Sequence, residues 1–278
     1  MDTFVDERDQ KLLDADKYTF AVLRRIMKGQ TEILLSDHEN VIICFTGHPF
    51  PVWIWTPDSA TAEDMERVYL LAKDKGLLNG DYHFNVKYEL AEYFMKRSEE
   101  DALKFQIQTN MYAYDCPDPI CPTEKADGAI HRCTMDDLDE LVDIIEMFHQ
   151  EIVIDRQNRE QYRKDAVAII ENENVFFWRN AAGKTVASCK SAPAGELASI
   201  NLVFTYPEHR RKHYAENLVY QVTKTMRDQG FIPMLYTDAD YVASNSCYEK
   251  IGYILRGRLC SIEPQKEEKP EYESKKES

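Results

Sequence analysis

The residues best placed for chemistry in this 278-residue chain are three consecutive cations, Arg210, Arg211 and Lys212. They lie between a strand-like run, Leu197 to Phe204, and a helix pattern from about Arg211 to Gln229. A helix N-terminus leaves its first backbone N–H groups without intrahelical partners, and its dipole favours negative charge. Cations crowded there suit a polyphosphate, although the same cluster also fits a solvated helix start. No Walker A sequence and no GxGxxG occur, so the two commonest nucleotide cradles are absent. Cys116 and Cys121 in CPDPIC have only a four-residue gap with two prolines and no second ligand pair, so no metal is expected. The run PFPVWIW, Pro49 to Trp55, reads as an apolar core strand before an aromatic pocket wall.

The elements around the cations are legible from periodicity. Ala129 to Cys133 makes a short strand, and Thr134 to Asp137 fits a capping box ahead of a helix carrying Leu138, Leu141, Val142, Ile145 and Phe148. A second helix covers about Gln157 to Ile170. Three strands follow, Val175 to Trp178, Thr185 to Cys189 and Leu197 to Phe204, the first two joined by a turn at Asn180 to Gly183. The long helix puts Ala215, Leu218, Val219, Val222 and Met226 on one face and stops at Gly230. A strand at Met234 to Thr237, a helix from Val242 to Ile251 and a last strand near Ile254 to Ile262 complete an α/β layer on a mixed sheet.

With that order in place, PEHRRKHYA resembles, without gaps, the PEYRGKGYA form of the acetyl-CoA signature of the GNAT superfamily of N-acetyltransferases. Arg210 and Ala215 match, and the family's two glycines fall on Arg211 and His213. Helix-type φ at those two positions would need no glycine. The block TDADYVASNSCYEKIGY, Thr237 to Tyr253, is similar to the family's TDxxNPxSNxxYxKxGF: Asp238, Ser244, Asn245, Tyr248, Lys250 and Gly252 match, with Tyr241 in place of the first Asn.

The resemblance implies acetyl-CoA as co-substrate. It places the CoA on Val203, Phe204 and Thr205 through backbone groups, on Arg210, Arg211, Lys212, His213, Tyr214 and Ala215, and on Asn245 and Tyr248. It also implies Tyr248 as proton donor to the departing thiolate. A phenol near pKa 10 can serve when it reaches the sulfur. The attacking amine needs a base, directly or through water; Glu196, before the central strand, and Glu151, between the first two helices, are candidates by position, with His149 behind them.

The first half repeats the second from its helices onward: a helix over residues 8 to 28, strands near 32 to 35, 41 to 45 and 52 to 55, a helix from Thr61, a strand near 83 to 86, a helix at 88 to 96 and a strand near 105 to 114. Its turn, TPDSATAED after Trp55, holds no Arg or Gly, so the copy is degenerate and binds no CoA. The expected fold is therefore an α/β (α+β layered) GNAT type, a mixed, mainly antiparallel sheet flanked by helices, behind a degenerate GNAT-like domain. Boundaries are set at residues 1–127, with a linker at 115–127, then 128–262, and a charged disordered tail at 263–278.

A net charge of −15 disfavours nucleic acid and anionic membranes as partners and suits a cationic amine of a small molecule or peptide. The first 30 residues hold no uninterrupted apolar run and no stretch approaches a membrane span, so the expected location is cytoplasmic. Seven scattered cysteines fit buried free thiols. A homodimer is compatible with the sequence. The expected activity is an acetyl-CoA-dependent N-acetyltransferase working by direct attack, with a non-catalytic acyl-CoA-binding protein as the alternative.

Overall fold

The computed structural model describes residues 1–3, 5–152 and 157–265. The chain divides into two compact units: Met1–Asn110 with Arg258–Ser278, and Met111–Gly257. Among the described residues no helix is long and apolar enough to cross a membrane.

The first unit holds α1 (Glu7–Leu12), α2 (Ala21–Ile26), β1 (Ile33–Ser36), β2 (Ile42–Phe45), β3 (Val52–Trp55), α3 (Ala62–Asp74), β4 (Phe84–Val86) and α4 (Tyr88–Ser98), and then enters β5 (Phe105–Asp115). The single helix expected over residues 8 to 28 is two short ones. Asp14 and Asp16 fall in the gap, where aspartate favours turns over helix interiors, and the Asp16 carboxylate accepts hydrogen bonds from Trp55 Nε1 at 2.8 Å and Lys87 Nζ at 2.7 Å. Strands β1, β2 and β3 pair antiparallel, and β3 pairs parallel with β4. Of PFPVWIW only Val52–Trp55 form the expected core strand, all four buried, whereas Phe50 ahead of it is exposed.

The second unit follows with β6 (Ala129–Arg132), α5 (Leu138–Glu151), α6 (Arg159–Glu171), β7 (Val175–Arg179), β8 (Thr185–Ala194), β9 (Leu197–Thr205), α7 (Tyr214–Asp228), β10 (Ile232–Asp238), α8 (Val242–Lys250) and the first four residues of β11 (Ile254–Pro264), the rest of which belongs to the first unit. Strands β6, β7, β8 and β9 form an antiparallel run, β9 pairs parallel with β10, and β10 pairs antiparallel with the end of β5. Helix α7 buries Leu218, Val219, Val222 and Met226 against Val186, Cys189, Ala198 and Ile200 of the sheet. Four such side chains contribute roughly 1.5–3 kcal/mol each on leaving water. Helices α5 and α6 cover another core, which includes Val175, Phe177, Leu202 and Phe204.

Each unit ends its sheet on a strand from a distant part of the chain. Strand β11 pairs with β4 through Cys260 and Val86, in the first unit, while Tyr114 of β5 faces Leu235 of β10 in the second. Segment 115–127 lies inside the second unit, where its backbone is laced down: Cys116 N–H donates to the Pro233 carbonyl, Ile120 N–H to the Ile251 carbonyl, and Trp178 Nε1 to the Asp127 carbonyl. A Cβ on Gly252 would lie 2.4 Å from the Asp118 carbonyl oxygen, so only glycine lets this strap pass. Of the expected tail, Glu263 and Pro264 belong to β11, and residues 266–278 lie outside the described residues.

In the first unit, the Lys87 ammonium, 9% exposed, joins Asp16 at 2.7 Å and Asp58 at 2.5 Å where β3 and β4 end. Replacing it with a neutral side chain leaves Asp16 without its cation. Lys87→Met should cost about 3 kcal/mol, seen as a lower urea midpoint, and an unchanged midpoint would show the triad to be dispensable. His38 holds the chain start, with Nε2 2.8 Å from Asp2 and Nδ1 3.0 Å from Asp9. These hydrogen bonds raise the His38 pKa above its ordinary 6.5, against the opposing charge of Arg8, and lower that of Asp2 below 3.8. The raised group stabilises fully below pH 6.5 and loses that as pH rises through its folded value; the lowered one is lost in acid. Thermal stability of the wild type should therefore fall from pH 6 to 8 more steeply than that of His38→Asn, which suits the left-handed backbone at this position (φ 61°). Equal slopes would remove His38 from the account.

Candidate functional site

The site begins where two parallel strands part. Among the described residues β9 and β10 pair only over Leu197 to Ser199 and Ile232 to Met234, although β9 runs on to Thr205 and β10 to Asp238. Beyond that point no ladder joins them among the described residues, and a buried backbone N–H or C=O needs its partner from elsewhere.

A β-bulge opens the same strand. Ser188 faces Phe204 and Lys190 faces Asn201, so two β9 residues stand against one of β8. Leu202 takes the left-handed φ of 50°, and its carbonyl accepts a hydrogen bond from the buried Ser188 hydroxyl at 2.9 Å. Val203 lies in the bulge and Phe204 follows it, with the Phe204 ring buried in the α5–α6 core and Val203 packed against the core under α7.

At the end of β9 the chain makes one tight turn, Pro207–His209, and enters the cationic loop. Arg211 has φ 59° and His213 φ 62°. Both are left-handed, which corrects the expectation of helix-type φ: the two family glycine positions keep a glycine conformation with side chains attached. Helix α7 consequently starts at Tyr214, three residues later than the periodicity placed it. His213 is the N-cap and gives no side-chain cap bond, and among the described residues the N–H groups of Arg211, Lys212 and His213 have no acceptor. Successive N–H groups in a loop that visits the left-handed region form a concavity for anions, here joined to a helix N-terminus.

The side chains divide by what they reach. Arg210 Nε donates to the Thr205 carbonyl at 3.1 Å, and one terminal nitrogen donates to both Glu151 oxygens at 2.7 and 2.8 Å. Lys212 Nζ turns back to the Glu208 carbonyl at 3.3 Å, and exposed Arg211 extends from the loop. Tyr214 does not face the parted strands: its hydroxyl donates to Asp127 at 2.6 Å, a bond that raises its pKa. Ala215 lies in the first turn of α7, half-buried.

On the other strand's side, Asn245 Nδ2 donates to the carbonyls of Asp238 at 3.2 Å and Ala239 at 3.0 Å, fixing the β10–α8 turn. Among the described residues its Oδ1 is buried with no partner. A buried carbonyl oxygen without a donor is costly, and the pantetheine arm of CoA carries amide N–H groups of the kind it lacks. Together with the open N–H groups of the loop, it makes the donor and acceptor set fit CoA. Tyr248 follows one turn later on the same helix face. It is buried, its ring packs edge-on to Tyr253 at 5.8 Å, and burial raises its pKa well above the ordinary phenol value. Burial thus keeps its hydroxyl protonated.

Two base candidates are not brought here. Glu196 is exposed in the β8–β9 turn, at the opposite end of β9 from the loop. His149 turns its ring to Tyr162 of α6 at 5.3 Å, with its pKa lowered by burial. Glu151, in the last turn of α5, is at the site but engaged by Arg210 and, at 3.4 Å, by the Tyr241 hydroxyl. Cys116 is buried while Cys121 is exposed against Lys125, so the two thiols stand in different environments. One group of metal-ligand types does gather in the first unit, Asp6, Asp9 and His38; Asp6 is held by Arg8 and Asp9 by Ser36 and His38.

Sequence reasoning missed the Leu202 bulge and the Arg210–Glu151 pair. Leucine gives no signal for a left-handed residue; the polar Ser188 inside TVASC was the one visible hint.

The comparisons place this geometry among known proteins. Residues 174–261 match the family model described as FR47-like protein. No curated protein is similar to the chain in sequence. Solved structures are similar over nearly its whole length. A GCN5-related N-acetyltransferase from Sphaerobacter thermophilus matches at TM-score 0.62 and 11% identity, covering 93% of this chain and 91% of that one. A GNAT-family acetyltransferase from Colwellia psychrerythraea matches at 0.59 and 12%, covering 95% and 99%. A GCN5-related N-acetyltransferase from Kribbella flavida matches at 0.57 and 12%, covering 91% and 95%. The chain is thus similar to the FR47-like family over residues 174–261 and has the fold of these acetyltransferase structures.

Proposed function

We propose that this protein is an acetyl-CoA-dependent N-acetyltransferase acting on a primary amine of a small molecule or peptide. The observation that carries the reading is the set of groups that have no partner among the described residues, the N–H groups of Arg211 to His213 and the buried Asn245 Oδ1, beside a β9 whose ladder with β10 stops short of Val203 to Thr205. A fold alone does not fix chemistry; this set answers, in order, to pyrophosphate, pantetheine amide, and thioester with pantetheine.

In the proposed reaction the acetyl-CoA supplies the thioester. The chain's residues hold and orient it: the loop N–H groups and Arg210 take the pyrophosphate, and the β9 backbone after Leu202 fixes the arm. Backbone N–H groups there also face the carbonyl on which negative charge develops during attack. Tyr248, kept protonated by burial, donates its hydroxyl hydrogen toward the leaving sulfur. A water chain deprotonates the ammonium, as Glu196 lies at the far end of β9. The first unit, whose parallel pair β3–β4 ends on the Lys87 triad, is proposed to be a degenerate copy that binds no CoA. The acceptor is expected to be cationic, with no role for nucleic acid or membrane.

A second reading, acyl-CoA binding without turnover, is favoured by one observation: burial makes the Tyr248 phenol a weak acid. CoA release measured over a panel of amines separates the two. Tyr248→Phe should lower kcat about 100-fold while KM for acetyl-CoA stays within a few-fold. Tight acetyl-CoA binding with no release, indifferent to Tyr248→Phe, would establish the second reading.

The left-handed loop generates its own expectation. A side chain at positive φ costs roughly 1–2 kcal/mol, so His213→Gly should raise Tm or leave it level with CoA affinity retained. His213→Val, β-branched at the same φ, should lower both. The reverse order would mean that the imidazole itself carries the loop.

A further inference from the structure

We propose that Glu151 is a built-in competitor for the cofactor's phosphate: its carboxylate holds the Arg210 guanidinium in the free protein and is displaced when pyrophosphate takes that guanidinium. The inference rests on the reading of the Arg210–His213 loop as the CoA cradle.

Three observations carry it. Arg210 is aimed by its own strand, since Nε donates to the Thr205 carbonyl at 3.1 Å, which leaves the outer nitrogen facing away from β9 at the entrance of the loop. That nitrogen meets both oxygens of a carboxylate, at 2.7 and 2.8 Å, the distances of a charge-assisted bond that a phosphate would make in the same place. Glu151 sits in the last turn of α5, where the helix dipole disfavours an anion. Nothing local to α5 therefore favours an acid there, whereas Arg210 does.

The same carboxylate accepts from the Tyr241 hydroxyl at 3.4 Å, just ahead of α8. The contact thus reaches from the β9–α7 side of the opening to the β10–α8 side. Arg210 and Glu151 side chains are 38% and 34% exposed. A pair so open to water is weak, and a multiply charged pyrophosphate with loop N–H groups can displace it. The pair acts as a competitor and not as a lock.

Calorimetric titration of the full chain with CoA tests this. Glu151→Gln should bind CoA about two- to five-fold more tightly than wild type, and the gain should shrink as salt is raised. Arg210→Gln should bind more weakly, and adding Glu151→Gln to it should bring no gain. If Glu151 instead pre-orients Arg210 for phosphate, Glu151→Gln weakens binding, and the proposal falls. Unchanged affinity, or a gain that persists without Arg210, overturns it as well. Wild type that binds CoA with any of those outcomes leaves the cradle standing and removes only the competitor. Failure of wild type and every folded variant to bind CoA removes both.

Discussion

The second unit turns on one unmet obligation of the backbone. Among the described residues the two parallel strands share a ladder over only three residues each and then run on without one. Burying backbone N–H and C=O groups unpaired costs more than any single side-chain contact here returns, so the opening persists only if its rims are held apart by something else. Helix α7 packs on one face through Leu218, Val219 and Val222, and α5 and α6 cover the core that takes Leu202 and Phe204. The bulge adds local twist, and Ser188 pays back the carbonyl it disturbs. Each device keeps β9 from zipping onto β10.

The loop that follows meets a second cost. Arg211 and His213 hold the conformation that glycine adopts freely, at roughly 1–2 kcal/mol each. Strain of this size survives only where the surroundings dictate it. They do so from both ends: Arg210 is tied to the Thr205 carbonyl, and α7 begins at Tyr214, whose hydroxyl is bound to Asp127 of the laced strap. The strap is in turn admitted by Gly252, one residue before Tyr253 of the core. The loop's shape therefore depends on partners outside both motif blocks, Thr205, Asp127 and Asp118.

That explains what the sequence could disclose. Helical and strand periods locate nearly every element of the second unit, because amphipathic α7 and apolar β7 to β9 report burial directly. The cations and Asn245 are legible because their residue types answer to anions and amides. Leu202 and His213 are not, since a left-handed conformation imposed from outside leaves no mark on the residue that adopts it. Segment 115–127 misleads for a related reason: three prolines signal a chain break, yet proline-rich backbone is tied down wherever neighbours supply donors and acceptors. The division of β5 and β11 between units lies wholly in long-range pairing, to which local periodicity is blind.

The two units pose the same topological problem and fill it in opposite ways. Strands β3 and β4 are also a parallel pair with a short shared ladder, Val52 to Trp53 against Phe84 to Asn85. Past it stand Lys87, Asp16 and the Trp55 indole, which satisfy one another. There a lysine, two aspartates and an indole N–H bond to one another. In the second unit the corresponding place holds open N–H groups, an orphaned amide oxygen and a surface pair weak enough to exchange partners. Whether a parted strand pair becomes a core or a site is decided by this balance: complete internal satisfaction closes it, and incomplete satisfaction leaves a ligand to finish it.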